Sequence, residues 1–351
     1  MACSKRFQLS LLAVTLLTTG MVRAQQPAPA LGLTQQVPVD PVITIGTLPN
    51  GLHYYVRQNK QPEKRAELRL VVKAGSILED DDQQGLAHFA EHMAFNGTQH
   101  FPGDGVLKFL QSLGMRFGAD VNASTSFDET TYMLTVPTDK PDVLDQSFLI
   151  LEDWAHNVSL DTAEIDKERG VIMEEWRLRR GAGARMQDKE FPIVLQGSRY
   201  ADRIPIGKTE IIQNFKPDQL KKFYADWYRP DLMAVIAVGD FDRAAVETLI
   251  KTHFGSIPAP ANARPRTAYD LPDHPGTTYA IISDKETTNT VVEIDNLAAR
   301  PSSGDCRRIP SGDGRFPILR HALGSIFGNR TEVRCPVFGR VCRPWHLHCA
   351  Q

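Results

Sequence analysis

Through residues 42–257 the interval between apolar side chains changes repeatedly from two to three or four, so the chain reads as strands interleaved with helices. Two short β-prone stretches, 42–45 and 52–56, flank Pro49-Asn50-Gly51 as the arms of a hairpin would. Leu68, Leu70, Val72 and Ala74 then alternate with Arg69, Val71 and Lys73, which predicts a strand with one better-buried face, ended by Gly75-Ser76. Leu86, Phe89, Ala90 and Met93 predict a helix over 84–95, and a shorter helix over 106–113 stops at Gly114. Residues 131–136 alternate again as a strand. Leu144, Phe148, Leu151, Ala155 and Val158 lie along one helical stripe. Asp161, three positions before Glu164, resembles a capping box opening a further helix to roughly residue 180, in which Gly170 costs about 1 kcal/mol relative to Ala. A helix over 216–228, a buried strand over 233–238 and a helix over 244–254 complete an α+β or α/β pattern.

The two ends of the chain read differently. Lys5 and Arg6, the apolar run 9–17 and Val22-Arg23-Ala24 have the form of a cleavable signal peptide over 1–24, its apolar run too short to span a bilayer. The mature chain is therefore expected in the periplasm or outside the cell, behind a flexible leader over 25–41. No later stretch is apolar enough to predict a membrane span. Pro258, Pro260, Pro265, Pro272 and Pro275 mark a stiff linker, and 279–282 and 290–294 read as strands opening a second, truncated domain over 258–299. From Arg300 onward there are nine Arg, no Lys and four Cys without periodicity, the composition of a frameshifted or truncated reading.

Composition removes some function classes. The 40 Lys and Arg nearly balance the 42 Asp and Glu, so no basic field is available to hold nucleic acid. Residues 25–305 contain no cysteine, so an exported fold here is held by its core rather than by disulfides. The Cys335, Cys342, His346, His348 and Cys349 group in the tail fits no usual zinc-ligand spacing.

The chemistry concentrates in His88-Phe89-Ala90-Glu91-His92. His88 and His92 are one helical turn apart and can share a metal, with Glu91 on the flank of the same face. This HxxEH order is the inverse of HExxH, and two imidazoles with a carboxylate suit zinc. Two ordinary histidines on an exposed helix are the plain alternative. Glu164, Glu168 and Glu175 fall on one stripe of a later helix, a pattern that by itself is usually a solvated face.

Taken together, His88-Phe89-Ala90-Glu91-His92 and Glu168-Arg169-Gly170-Val171-Ile172-Met173-Glu174-Glu175 resemble the M16 family (pitrilysin/insulinase, mitochondrial processing peptidase). Leu48-Pro49-Asn50-Gly51-Leu52, Gly97-Thr98, Asn122-Ala123-Ser124-Thr125, Pro205-Ile206-Gly207, Trp227-Tyr228-Arg229-Pro230 and Gly239-Asp240-Phe241 extend the likeness over 42–257. The resemblance implies an α+β domain, a mixed and largely antiparallel sheet with helices packed on it, corresponding to the N-terminal half of the usual unit. It implies one Zn2+ per chain on His88, His92 and Glu175, with Glu91 and Glu168 as the catalytic carboxylates: Glu91 as general base, Glu168 orienting a ligand histidine. Glu175 is preferred to Glu174 by its seven-residue step from Glu168, since adjacent helical residues diverge by about 100 degrees. Asn122, Ala123, Ser124 and Thr125 would form an edge strand that adds a peptide or unfolded protein substrate as an extra strand.

The expected function is that of an exported zinc endopeptidase, its partners being substrate and a second M16-like half or another copy of the chain. A non-catalytic M16-like binding subunit, an inactive half that needs its second half, and an S-ribosylhomocysteine lyase-like zinc enzyme are the competing readings.

Overall fold

The computed structural model describes residues 39–272 and 276–292. The expected signal peptide, nearly all of the leader and the atypical tail lie outside the described residues.

The first hairpin pairs β1 (Thr44–Thr47) with β2 (His53–Gln58) in antiparallel register. Its turn is tied to the end of the domain, because Asn50 Nδ2 donates to the carbonyls of Phe254 and Ile257 at 2.7 and 3.0 Å. The remaining strands are β3 (Arg65–Val72), β4 (Val121–Thr125), β5 (Thr130–Pro137) and β6 (Met233–Gly239). The sheet order is β1-β2-β6-β3-β5-β4, open at both ends, and β2–β6 is its parallel pairing. It is mixed and largely antiparallel, as expected.

Period-two patterning fixes which face is covered. Leu68 lies opposite both Leu134 and Ala237, and Leu70 opposite both Tyr132 and Val235, so inward side chains of three strands meet in rows. Those residues are buried, while Arg65, Glu67 and Arg69 of the same strand are exposed on the other face. The helices are α1 (Leu86–Met93), α2 (Gly105–Ser112), α3 (Pro141–His156), α4 (Thr162–Leu178), α5 (Ala182–Val194), α6 (Thr209–Asn214), α7 (Pro217–Trp227) and α8 (Arg243–Phe254). α3 packs on β3 and β5, and α8 on α3 and β2. Trp154, fully buried on α3, stacks on Tyr132 and donates its indole N–H to Ala94 O at 2.9 Å, joining the sheet, α3 and the end of α1. Among the described residues no helix is long and apolar enough to cross a membrane.

The expected strand at 279–282 does not form, and residues 290–292 are also irregular, the rest of that second stretch lying outside the described residues. Tyr279 is 86% and Ile281 100% exposed. A strand exists through its hydrogen-bonded ladder, and no described strand lies beside this segment. The proline-rich run instead straps the domain by polar contacts. Arg264 pairs with Asp80 at 3.0 Å and lies 4.9 Å over the Trp227 ring, while Arg185 of α5 holds Asp284 and Glu286 at 2.8 Å each.

Candidate metal centre

α1 begins where Glu79, wholly buried, accepts backbone N–H bonds from Gly85 and Ala87 at 3.0 and 2.8 Å. Burial outweighs these bonds and the nearby Arg203 and Arg199, and lifts Glu79 to about 8. Gly85 has φ +105°, and its backbone approaches Gly207 so closely that a Cβ on Gly207 would stand 2.3 Å from Gly85 Cα. The Pro205-Ile206-Gly207 turn thus packs against the start of the histidine helix.

α4 opens at Asp161, whose side chain accepts from Ala163 N and Glu164 N at 2.8 and 3.3 Å. Glu164 turns outward to Lys167 rather than completing a capping box. The spacing between α1 and α4 is set by a packed relay. Phe89 meets Phe215 edge-on at 4.8 Å between ring centroids, and Arg169 lies 4.0 Å over Phe215 while donating to the carbonyls of Ile212 and Phe215.

This packing brings three donors together. One ligand atom from each of His88, His92 and Glu175 lies within 4.8 Å of the other two. Glu175 Oε2 is 3.3 Å from His92 Nε2 and 3.7 Å from His88 Nε2. Glu174, one residue earlier, points away and bonds Arg177 at 2.8 Å. Glu168 Oε1 accepts from His92 Nδ1 at 2.7 Å, and its Oε2 accepts from Asn96 Nδ2 at 2.6 Å. The outer oxygen of Glu175 pairs with Arg179.

The donor set fits a divalent cation. With its Nδ1 hydrogen engaged by Glu168, a neutral His92 turns the lone pair of Nε2 toward a carboxylate oxygen, an arrangement that needs a positive charge between them. Without a metal a proton meets that need. Burial opposes the charge on His92, but its bonds to Glu168 and Glu175 prevail and raise it to about 9. Burial, then the charge of His92, holds His88 down at about 4, so the two rings do not share the positive role. The bond from His92 brings Glu175 down to about 2. Two imidazole nitrogens and one carboxylate oxygen are the ligand types of an open zinc site.

Glu91 projects beside this cluster, nine-tenths buried, and burial raises its pKa. Its Oε2 accepts the hydroxyl hydrogen of Thr125 at the end of β4. β4 is the edge strand at the end of the sheet opposite β1, bonded on one side to β5. On its other side Val121 O accepts from Gly118 N–H at 2.7 Å, and Asn122–Thr125 carry no further strand among the described residues. Asn122 and Ser124 are exposed, Ala123 and Thr125 half-buried. Asn122 Oδ1 accepts from Ala123 N at 3.0 Å.

Two residues here, Asn96 on Glu168 and Arg179 on Glu175, are not among those singled out by sequence, and Thr125, expected as part of a substrate-binding strand, also places its hydroxyl on Glu91. Asn96 and Arg179 each stand four positions after a proposed ligand, so helical spacing carried a signal for both. The Thr125 contact carried none, since it depends on how the sheet edge meets α1.

The insulinase (peptidase family M16) profile matches residues 54–179, and the peptidase M16 inactive-domain profile matches 214–295. The second stretch supplies β6, the strand between β2 and β3. The chain is 42% identical to a "zinc protease PQQL-like" protein of Arabidopsis thaliana over 71% of its own length and 26% of that protein. It is 39% identical to the "probable zinc protease PqqL" of Escherichia coli over 71% of its length and 27% of that protein. It therefore spans about a quarter of these curated relatives. The crystal structure of the first half of the periplasmic protease PqqL from Escherichia coli superposes with a TM-score of 0.64 at 39% identity, covering 68% of this chain and 50% of that one. A mutant of the ferredoxin protease FusC, solved in complex with Arabidopsis ferredoxin, matches with a TM-score of 0.62 at 34% identity, over 66% of this chain and 25% of that one. On its two profile matches and these relatives, the chain belongs to peptidase family M16.

Proposed function

We propose that the chain carries the zinc half-site of an exported M16 endopeptidase, acting on peptides or unfolded protein segments. The observation that carries this reading is the convergence of His88 Nε2, His92 Nε2 and Glu175 Oε2 beside a buried Glu91, which shares α1 with the two histidines. His88, His92 and Glu175 would hold one zinc per chain, and Glu168 would fix the His92 ring from behind. Zinc bound there supplies Lewis acidity, polarising a carbonyl oxygen and acidifying water. Glu91 takes the proton of the attacking water and delivers it to the leaving amine, and its raised pKa suits a group that must both accept and donate. The Thr125 hydroxyl occupies one Glu91 oxygen and leaves the other for the proton.

The free side of Asn122–Thr125 takes substrate as an added strand, which reads backbone and tolerates many sequences. Residues 42–257 form the peptidase domain under this reading, 258–299 lead into a second domain, and a second M16-like half closes over the substrate. The signal-like segment 1–24 and the periplasmic PqqL relative support export. The test is cleavage of a quenched fluorescent peptide by the chain, alone and with the second half of such a protease. Activity should disappear with chelator and in Glu91→Gln, which keeps its zinc. Chelator-resistant cleavage, or an undiminished Glu91→Gln, would sink the reading.

A further inference from the structure

We infer that Asn96 is a positioning residue for the metal centre: its amide locks the Glu168 carboxylate, and through it the ring of His92. The inference rests on the proposed ligand set and goes beyond it by assigning a residue that touches no ligand directly.

Glu168 spends its two oxygens on two partners. Oε1 takes His92 Nδ1–H at 2.7 Å and Oε2 takes Asn96 Nδ2–H at 2.6 Å. A carboxylate held at one oxygen can still rotate about its last side-chain bond; held at both, its plane is fixed. Because the partner is a carboxylate oxygen, the Asn96 amide presents its NH2 group. The amide is neutral, so it satisfies Glu168 without adding a cation that would compete with a metal for the carboxylate's charge. Asn96 is itself well anchored. Its N–H donates to Met93 O at 3.0 Å as α1 ends, and the loop after it is clamped to the α3–α4 junction by Gln99 N on Asn157 O and Ser159 N on Gly97 O, both 3.0 Å. The side chain of Glu168 is 12% exposed, so few water molecules can replace a lost partner. The result is a line of bonds from Asn96 through Glu168 to His92, with its free end at His92 Nε2, 3.3 Å from Glu175 Oε2.

The experiment measures zinc affinity of the full chain by competition with a chromophoric chelator, so it needs no catalytic activity. Asn96→Leu should weaken zinc binding about 10-fold, within the range for partners that orient a ligand. Glu168→Ala should weaken it by about 10- to 100-fold. In the double variant the Asn96 effect should vanish, because Asn96 acts only through Glu168. A merely structural asparagine would instead add its effect to that of Glu168→Ala. Asn96→Ser, which adds no apolar surface, serves if Asn96→Leu does not fold. Cobalt substitution gives a second readout: Asn96→Leu should shift the visible absorption of the bound ion. Wild-type affinity in both Asn96 variants, or additive effects, overturns the inference alone. A wild-type chain that binds no zinc, or binds it equally well as His88→Ala, overturns the ligand set and the inference with it.

Discussion

Among the described residues two imidazoles are bracketed by carboxylates on both ring nitrogens. His92 lies between Glu168 at 2.7 Å and Glu175 at 3.3 Å; His253 of α8 lies between Glu152 at 2.8 Å and Asp145 at 3.3 Å, both on α3. Burial opposes protonation at each, the carboxylates override it, and both pKa values rise. Their third neighbours differ. His92 faces the ring of His88 edge-on, 4.6 Å between centroids, whereas His253 stacks near-parallel on Phe148 at 6.4 Å. A second imidazole adds a donor that converges on the same carboxylate oxygen, while a phenyl ring adds only apolar surface. The first bracket can take up a metal; the second is satisfied by a proton and clamps α8 to α3.

The largest effect that could break this comparison is His88→Ala. It leaves both brackets intact and removes the converging donor, so metal analysis should fall from about one zinc per chain to background. Zinc retained by that variant would mean that a bracketed histidine alone suffices.

A smaller effect concerns the clamp. The folded-state pKa of His253 lies above the ordinary 6.5, so its contribution to stability is complete below pH 6.5 and is lost as pH rises through the raised value. His253→Gln should lower Tm at pH 6 by about 3 °C and leave a flatter pH profile above it. Parallel profiles for variant and wild type would show that the clamp carries no charge.

The smallest effect belongs to Arg179, which is two-thirds exposed and pairs with the outer oxygen of Glu175. Its charge opposes a bound cation, so Arg179→Ala should tighten zinc less than about fivefold in low salt, and the gain should fade at high salt. A salt-independent change would assign Arg179 a role other than charge.

Much of this architecture is legible in the sequence because the elements carry strong local periodicity. The alternation of Leu68, Leu70 and Val72, and the stripe from Leu144 to Ala155, translate directly into β3 and α3, whereas Val158, expected on the same stripe, falls past the helix end in a bridge to Thr98. Helix α5 left no such trace: it contains Gly183 and Pro192 and buries no residue fully. Helix α6 is six residues long, too short for a period to register. The β-prone run near 279 misleads in the opposite direction, since β propensity describes fit to a neighbouring strand. At the metal centre the HxxEH spacing and the seven-residue step to Glu175 are local and readable. The hydroxyl of Thr125 on Glu91 is a meeting of distant segments, which local pattern does not encode.

The middle position of β6 has a consequence for how the protein is made. β2 and β3, near the start, hydrogen-bond not to each other but to a strand roughly 160 to 180 residues further on. Emerging from the ribosome, the histidine helix therefore precedes the strand that zips its sheet together, and until residue 239 is available two half-sheets present raw edges to the solvent. Nascent chains stopped short of that point should be client material for chaperones, and those carried past it should abruptly become protease-resistant.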